Sequence, residues 1–247
     1  MIIVKSTEEI EKMRASGRIA GDVRSRLASR VAPGITTKEL DEYAEGLIDE
    51  AGGESAFYGY KGFPGHVCLS INEEVVHGIP GKRRIKLGDV VSIDVGVRYG
   101  GYVGDTATTV MVGVVDLDIM RLVATGEAAL KAAVELAQAG RHLSDVSHAI
   151  ETAALEEGFS VVREFVGHGI GRDMHEDPQI PNFGKPGKGP VLKPGMTLAL
   201  EPMINMGVDR IEIMADGWTV LTADRRPSVH FEHTVAVRKS GKAEILT

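Results

Sequence analysis

The N-terminal region has the polar and apolar pattern of two amphipathic helices. Ser6-Thr7-Glu8-Glu9 is a capping box, and the apolar residues after it fall at helical spacing until Pro33-Gly34. Thr36-Thr37-Lys38-Glu39 is a second capping box, before a run that ends at Gly52-Gly53. The same spacing predicts two further helices, over 119–137 and 144–157.

The rest of the chain is dominated by short runs of β-branched residues, which are typical of strands. A loop rich in proline and glycine is predicted over 178–194. The strand predictions cover nine segments: 67–71, 74–77, 89–97, 102–112, 161–166, 197–204, 210–214, 219–222 and 230–238.

Helix ends and strand motifs recur at a nearly constant offset. Gly34 and Gly52 follow the first helix pair, and Gly140 and Gly158 follow the second pair 106 residues later. Lys, Gly and an acidic residue recur in 86–94 and 193–201, at an offset of 107. We interpret the chain as one domain over 1–247 that contains two copies of an α+β unit, roughly 1–115 and 116–247.

Two aspartates are predicted to share one face of a hairpin. With 89–97 and 102–112 as its strands and a turn at Tyr99-Gly100, Asp94 lies opposite Asp105 at about 4.5–5.5 Å between Cβ atoms. Val91, Ile93 and Val95 then take the other, core-facing side. Facing carboxylates destabilise a sheet unless a cation, a shared proton or a basic side chain compensates.

The second copy adds further candidate metal ligands. Glu201 and Glu232 lie in predicted strands, and His168 lies between glycines that allow close backbone approach. Five ligands, four of them oxygen donors, exceed what one tetrahedral zinc ion needs. They suit two divalent metals about 3.5–4 Å apart, with manganese, iron or cobalt favoured and zinc compatible.

Composition and missing motifs exclude several classes of protein. The net charge is −7, which disfavours nucleic acid as a specific partner. Neither a signal peptide nor a run of about 18 apolar residues is present, and Cys68 is the single cysteine, so we expect a cytoplasmic protein without disulfides or a membrane span. The metalloprotease motif His-Glu-x-x-His, the serine-hydrolase elbow and the P-loop are absent.

Taken together and in order, a set of short motifs resembles the methionine aminopeptidases of the short bacterial type I class. The resemblance extends over essentially the whole chain and implies the pita-bread fold, with two pseudo-symmetric α+β halves around a curved antiparallel sheet and helices on its outer face. The motifs that carry it are Ser70-Ile71-Asn72-Glu73-Glu74-Val75-Val76-His77-Gly78-Ile79-Pro80, Ile93-Asp94-Val95-Gly96, Gly104-Asp105-Thr106, Gly167-His168-Gly169-Ile170-Gly171, His175-Glu176-Asp177-Pro178, Glu201-Pro202-Met203 and Phe231-Glu232-His233-Thr234.

The resemblance also implies an activity, which is removal of an N-terminal methionine that precedes a small residue. Water activated by two divalent metals (Co, Mn, Fe or Zn) would attack the first peptide bond. Glu201 would transfer the proton, and His77 and His175 would contact the substrate. The metal ligands implied are Asp94, Asp105, His168, Glu201 and Glu232, and the methionine pocket implied is Phe57, Tyr60, Phe63, Cys68, Met174 and Trp218.

Met174 stands where many relatives of this class carry a larger aromatic residue, and Phe57 stands where several carry a smaller residue. By analogy, Asn72 and Ser228 would help to bind a monovalent cation. The expected partners are nascent polypeptides, with transient ribosome association, and we expect a monomer. Two alternative functions stay open: a related X-Pro aminopeptidase or prolidase, and a non-catalytic pita-bread binding module.

Overall fold

Four helices pack against the sheets of the protein, in a computed structural model that describes residues 1–247. The helices are α1 (Thr7–Arg30), α2 (Thr37–Glu50), α3 (Leu117–Leu136) and α4 (Leu143–Glu156). Each lies within two residues of its predicted bounds. None of them combines the length and the hydropathy that a bilayer crossing requires.

The capping boxes predicted for the first two helices are confirmed. The Ser6 hydroxyl accepts the Glu9 amide at 3.2 Å, and the Glu9 carboxylate accepts the Ser6 amide at 3.0 Å. Thr36 and Glu39 repeat the arrangement at 3.1 and 2.7 Å. These reciprocal bonds satisfy amides that the first turn of a helix leaves without partners, so the sequence sets where each helix begins.

The strands are short and pair only in the antiparallel sense. They are β1 (Glu54–Ser55), β2 (Cys68–Ile71), β3 (Glu74–Val76), β4 (Val90–Tyr99), β5 (Tyr102–Met111), β6 (Ser160–Val161), β7 (Gly167–Gly169), β8 (Glu176–Ile180), β9 (Thr197–Leu200), β10 (Met203–Asn205), β11 (Ile211–Ile213), β12 (Val220–Thr222), β13 (Ser228–His230), β14 (His233–Ala236) and β15 (Glu244–Ile245). These strands form a four-stranded sheet (β1-β4-β2, with β5 beside β4), a five-stranded sheet (β15-β14-β9-β7-β8) and two three-stranded sheets (β13-β10-β6 and β11-β12-β3). A single 3₁₀ turn covers Tyr60–Gly62.

Helices cover one face of the sheets and leave the opposite face to the site. Helices α1 and α2 bury one side of the first sheet, where Val91, Ile93 and Val95 are fully buried as predicted. Helices α3 and α4 pack against β9, β10, β13 and β14 in a second hydrophobic core. Because side chains alternate along a strand, the residues between the buried valines of β4 point to the uncovered face.

The predicted register of the β4–β5 hairpin is wrong by two residues. Gly96, not Asp94, lies opposite Asp105, and the turn is Gly100-Gly101 rather than Tyr99-Gly100. The two turn residues have φ of +58° and +81°, which glycine adopts without strain and tyrosine does not. A shift of two preserves the alternation, so both aspartates still share one face.

Two predicted strands are each broken at a glutamate. Segment 197–204 divides into β9 and β10 at Glu201-Pro202, and segment 230–238 divides into β13 and β14 at Phe231-Glu232. Pro202 has no amide to donate to a ladder, and its carbonyl instead accepts the Phe231 amide at 3.2 Å. The two breaks therefore lie side by side, and each places a glutamate outside regular strand pairing.

Two further predictions are corrected by the pairing around these breaks. Of the predicted strand 161–166, only Val161 is in a strand, β6, because β10, its partner, ends its pairing near the break. The residues that follow, Glu164, Phe165 and Val166, line a cavity instead. The predicted loop 178–194 begins as strand β8, which pairs with β7.

Candidate metal centre

The first sheet supplies two aspartates from neighbouring strands. Asp94 lies in β4 and Asp105 in β5, on the face away from the helices. The Asp105 amide donates to the Thr234 hydroxyl at 3.0 Å, and that hydroxyl donates to the Asp105 carbonyl at 2.8 Å. This exchange fixes β5 against β14, a strand from the second half of the chain.

The second half supplies an imidazole and a glutamate that face each other. His168 lies in β7, and its Nε2 is 3.4 Å from Oε1 of Glu201. Its Nδ1 lies 2.9 Å from the Gly169 carbonyl, which is an acceptor only. Nδ1 therefore carries the proton of the neutral ring, and Nε2 is left as an acceptor or metal ligand.

Glu232 is held against the first half by its own backbone. Its amide donates to the Ala107 carbonyl at 3.0 Å, and its carbonyl accepts the Ala107 amide at 3.3 Å. The Thr106 hydroxyl donates to the same Glu232 carbonyl at 2.8 Å. The break between β13 and β14 thus pairs with β5, which brings a carboxylate of the second half beside Asp105.

All five sequence-predicted metal ligands line one cavity of about 300 Å³. Asp105, His168 and Glu232 each place one ligand atom within 4.8 Å of the others. Of six buried side-chain polar atoms without a hydrogen-bond partner, four belong to this cavity: Asp94 Oδ1, Asp105 Oδ1, Glu232 Oε1 and His230 Nε2. Unpartnered buried oxygens from several carboxylates are the donor set of a divalent cation, so the residues present fit a metal.

Burial raises the pKa values of all four carboxyl groups, and repulsion from neighbouring acids adds to the shift at three of them. Burial raises the pKa of Asp105 to about 7. The pKa values of Asp94, Glu201 and Glu232 are raised well above the ordinary carboxyl range, first by burial and then by the neighbouring acids. Without a cation, this centre therefore holds protons at neutral pH.

Burial has the opposite effect on the histidines of the cavity. It lowers the pKa of His77 and of His168 to about 4, with His175 contributing to both shifts. The pKa of His175 is lowered by burial and by Lys61. These three rings are therefore neutral at pH 7, as a metal ligand or a hydrogen-bond donor to a developing oxyanion requires.

The sequence reasoning missed a second imidazole at the centre, His230. Its Nε2 lies 3.8 Å from Oε2 of Glu201 and 3.8 Å from Oε2 of Glu232, and burial lowers its pKa to about 3. A signal was present, because His230 and Glu232 are two residues apart in the predicted strand 230–238 and so share its parity.

His77 and His175 occupy the rim of the carboxylate cluster. His77 follows β3 with φ of +59°, an uncommon conformation for a residue other than glycine, and its ring lies edge-on to Phe165 and Trp218. The His175 ring lies 4.2 Å from the His168 ring between centroids, and its Nδ1 is 2.9 Å from the Tyr60 hydroxyl.

One wall of the cavity is apolar and aromatic. Phe63 packs edge-on against Trp218 at 5.1 Å and against Phe57 at 6.5 Å between ring centroids. Tyr60 and Cys68 complete the predicted residues on this wall, and burial raises the pKa of the Cys68 thiol. Such a surface suits an unbranched apolar side chain.

Met174, which the resemblance assigned to the pocket, does not line the cavity. It is 2% exposed and packs in a core cluster with Phe57 at its edge. A Cβ at Gly96 would come within 2.8 Å of the Met174 methyl and 2.6 Å of the Phe57 ring. Met174 therefore lies next to Phe57 in the core, so any effect that it has on the pocket passes through that ring.

The fold and the carboxylate-rich cavity define a metallopeptidase of the pita-bread type. The model of metallopeptidase family M24 matches residues 11–239, and the chain belongs to this family. The α+β architecture, with antiparallel sheets covered by helices, is the pita-bread fold of that family.

Full-length relatives and solved structures show which members of the family this chain is similar to. Methionine aminopeptidase 1 of Bacillus subtilis is 50% identical, with 100% of this chain and 99% of that protein covered. The Thermotoga maritima methionine aminopeptidase structure superposes with a TM-score of 0.98 at 43% identity, covering 100% and 99% of the two chains. The Pyrococcus furiosus prolidase structure has a TM-score of 0.81 at 25% identity, with 99% of this chain and 65% of that chain covered.

Proposed function

We propose that this protein removes the N-terminal methionine from peptides and nascent polypeptides, and that it prefers a small second residue. One observation carries the proposal: a single cavity joins a carboxylate-rich centre to an apolar, aromatic wall, which is the kind of surface that suits an unbranched thioether side chain. Full-length identity of 50% to a methionine aminopeptidase, against 25% to a prolidase, supports methionine over an X-Pro substrate.

We assign the metal centre to the five residues whose side chains meet in the cavity. Asp94, Asp105, His168, Glu201 and Glu232 would hold two divalent cations, drawn from cobalt, manganese, iron or zinc. When bound, the cations would polarise the scissile carbonyl and make a water nucleophile available at neutral pH.

Glu201 is the proton-transfer group in this proposal. Its side chain is 13% exposed, so it keeps some access to the cavity, and its pKa is raised by burial and by Asp105. It takes the proton of the attacking water and delivers it to the leaving amine.

His175 is positioned to stabilise the oxyanion. If the Tyr60 hydroxyl donates to Nδ1, the proton of the neutral ring lies on Nε2, where it can donate to the carbonyl oxygen as negative charge develops. His77 contacts the peptide after the scissile bond. The methionine side chain lies against Phe57, Tyr60, Phe63, Cys68 and Trp218.

The substitution Glu201→Gln tests the proposal, because it keeps the shape of the side chain and removes its base. We expect a folded protein whose release of methionine from Met-Ala-Ser falls by about 10²–10⁴-fold. Glu156→Gln, on the exposed surface of α4, is the matched control and should keep the wild-type rate. The chelated protein is assayed after adding back Mn, Fe, Co or Zn separately, which also shows which of these metals support turnover.

Three outcomes would contradict parts of the proposal. A folded, metal-loaded Glu201→Gln protein with the wild-type rate would remove Glu201 from proton transfer. Cleavage of an X-Pro peptide without release of methionine would favour the prolidase alternative. Absence of both metal binding and turnover in the wild-type protein would favour a non-catalytic binding module.

The remaining assignments are predictions from the sequence. We propose a cytoplasmic monomer that associates transiently with the ribosome, and a single domain with duplicated halves. A monovalent cation is proposed near Asn72 and Ser228, where the Ser228 amide donates to the Asn72 carbonyl at 2.9 Å.

A further inference from the structure

The segment that precedes α1 is attached by a buried ion pair to the loop that carries His175. The Lys5 ammonium contacts the Glu176 carboxylate, and the two side chains are only 3% and 5% exposed. The Lys5 amide also donates to the Gly195 carbonyl at 2.8 Å, so the backbone of this segment is fixed independently of the ion pair.

The Glu176 carboxylate organises the loop between β7 and β8. Its Oε1 accepts the Arg172 amide at 3.0 Å, while its Oε2 contacts Lys5. The loop closes so tightly on this group that a Cβ at Gly171 would lie 2.4 Å from Oε1 and 2.6 Å from Cε of Lys5. The arrangement leaves the loop little freedom to rearrange around the carboxylate.

Two of the four histidines that line the cavity are connected to this loop. His168 lies in β7, and His175 immediately precedes Glu176, the first residue of β8. Lys5 is the ion-pair partner of Glu176. Removing it would leave a buried carboxylate without compensation next to His175.

We propose that Lys5 and Glu176 are positioning residues for His175. Their ion pair fixes the loop so that the His175 ring holds its place beside His168 and the Tyr60 hydroxyl. This inference rests on the proposed role of His175 as oxyanion donor. A buried ion pair adds little net stability over an apolar pair, which is consistent with a role in geometry.

The test removes both charges together, because Lys5→Met alone would leave Glu176 buried and unpaired. In Lys5→Met/Glu176→Gln, the amide oxygen of the glutamine can still accept the Arg172 amide. We expect kcat for Met-Ala-Ser to fall about 10- to 100-fold, the cost of a displaced catalytic group. KM and metal content should stay within twofold of wild type. The absorption spectrum of the Co²⁺-loaded protein should match that of wild type.

The same double substitution is then made in a His175→Ala background. We expect it to lower kcat less than twofold there, because the group that the ion pair positions is already gone. Arg14→Met is the matched control: it breaks another ion pair of the N-terminal region, Arg14 with Glu244 at 2.6 Å, and should leave kcat unchanged.

The outcomes separate this inference from the proposed function. An equal fall in kcat with and without His175, or a fall that follows loss of metal or of folded protein in a thermal melt, would overturn the positioning role. Wild-type kcat in the double variant, together with a lowered but measurable kcat in His175→Ala, would overturn it while leaving the proposed function intact. Wild-type kcat in His175→Ala would overturn the oxyanion role itself.

Discussion

Metal binding to this centre should compete with protons across the neutral pH range. The pKa of Asp105 is raised to about 7 by burial, and three further carboxyl groups have raised pKa values. The pKa of His168 is about 4, so this imidazole needs no deprotonation above pH 5. The carboxyl groups are therefore the side chains that release protons on binding, and ionisation of a metal-bound water would add to that release.

The size of the effect follows from the Asp105 value. A group of pKa about 7 is deprotonated in about 0.03 of molecules at pH 5.5 and about 0.76 at pH 7.5. Requiring that one group to be ionised changes the dissociation constant about 25-fold, or about 1.9 kcal/mol. Additional raised carboxyl groups increase the change, so 25-fold is the minimum that we expect.

Isothermal titration of the chelated protein with Co²⁺ or Mn²⁺ measures this directly. Titrations at pH 7 in buffers of different ionisation enthalpy should show release of at least about one proton per pair of cations. Asp105→Asn is the control, since it removes one titrating group and should flatten the dependence of log Kd on pH. A Kd that stays within twofold between pH 5.5 and 7.5, without proton release, would refute the reasoning.

The same linkage predicts how cations affect stability. In the metal-free protein, the folded state holds a proton on Asp105 that the unfolded chain releases near pH 4. The folded state then binds more protons, so this contribution to stability is present at low pH and is lost as the pH rises toward 7. Added cations should therefore raise Tm more at pH 7.5 than at pH 5.5, and an equal rise at both would contradict the assignment.

Three further predictions concern single residues. His230→Leu should weaken metal binding about 10- to 100-fold. His230→Gln restores an N–H donor and should recover most of the lost affinity in the same titration. An equal loss of affinity in both variants would argue against a polar role for His230. Gly104→Ala should lower the free energy of unfolding, measured in urea, by about 1–3 kcal/mol or more, because the new Cβ would lie 2.6 Å from the backbone of Gly17. Gly46→Ala is the control: the position has open space around it, so the substitution should stabilise α2 slightly. Cys68 should resist iodoacetamide in the folded protein and react after denaturation, because it is buried with a raised pKa; rapid labelling of the native protein would contradict this placement.

The sequence predicted correctly that the two aspartates of the hairpin share one face, although it did not predict the register of the hairpin. Alternation alone assigns Asp94 and Asp105 to one face, because that face depends only on parity. The register depends on which residues form the turn, and Tyr99-Gly100 and Gly100-Gly101 are both plausible until the need for two positive φ values is considered. The two-residue error therefore left the predicted cluster intact.

The strand breaks could not be predicted from hydrophobic pattern, because apolar residues continue through them. Only Pro202 signals the first break, and Phe231-Glu232 carries no local signal at all. The second break is created by pairing of Glu232 with Ala107, a contact between residues far apart in the chain. His230 belongs to no motif of its own, and only its parity with Glu232, two residues further along, indicates that it faces the centre.

The family resemblance indicated which residues lie near the cavity. It could not predict which of their side chains are exposed to the cavity and which are packed in the core. Phe57, Tyr60, Phe63, Cys68 and Trp218 line the cavity as the resemblance implies. Met174 does not, because its side chain packs into the core next to Phe57. A motif match fixes where a residue lies along the chain. Whether its side chain is exposed to the cavity depends on the sizes of the side chains packed around it.

The hydrogen bonds between Glu232 and Ala107 join the two parts of the chain that supply the proposed metal ligands. Metal binding should therefore change how strongly these two parts resist separation. Asp94 and Asp105 come from one half of the chain, while His168, Glu201 and Glu232 come from the other. A cation held by both sets, as we propose, would oppose separation of the strands that supply them, so sub-global opening between those strands would become costlier once metal is present. Amide hydrogens of Ala107 and Glu232 should then exchange with solvent only when the entire loaded protein unfolds.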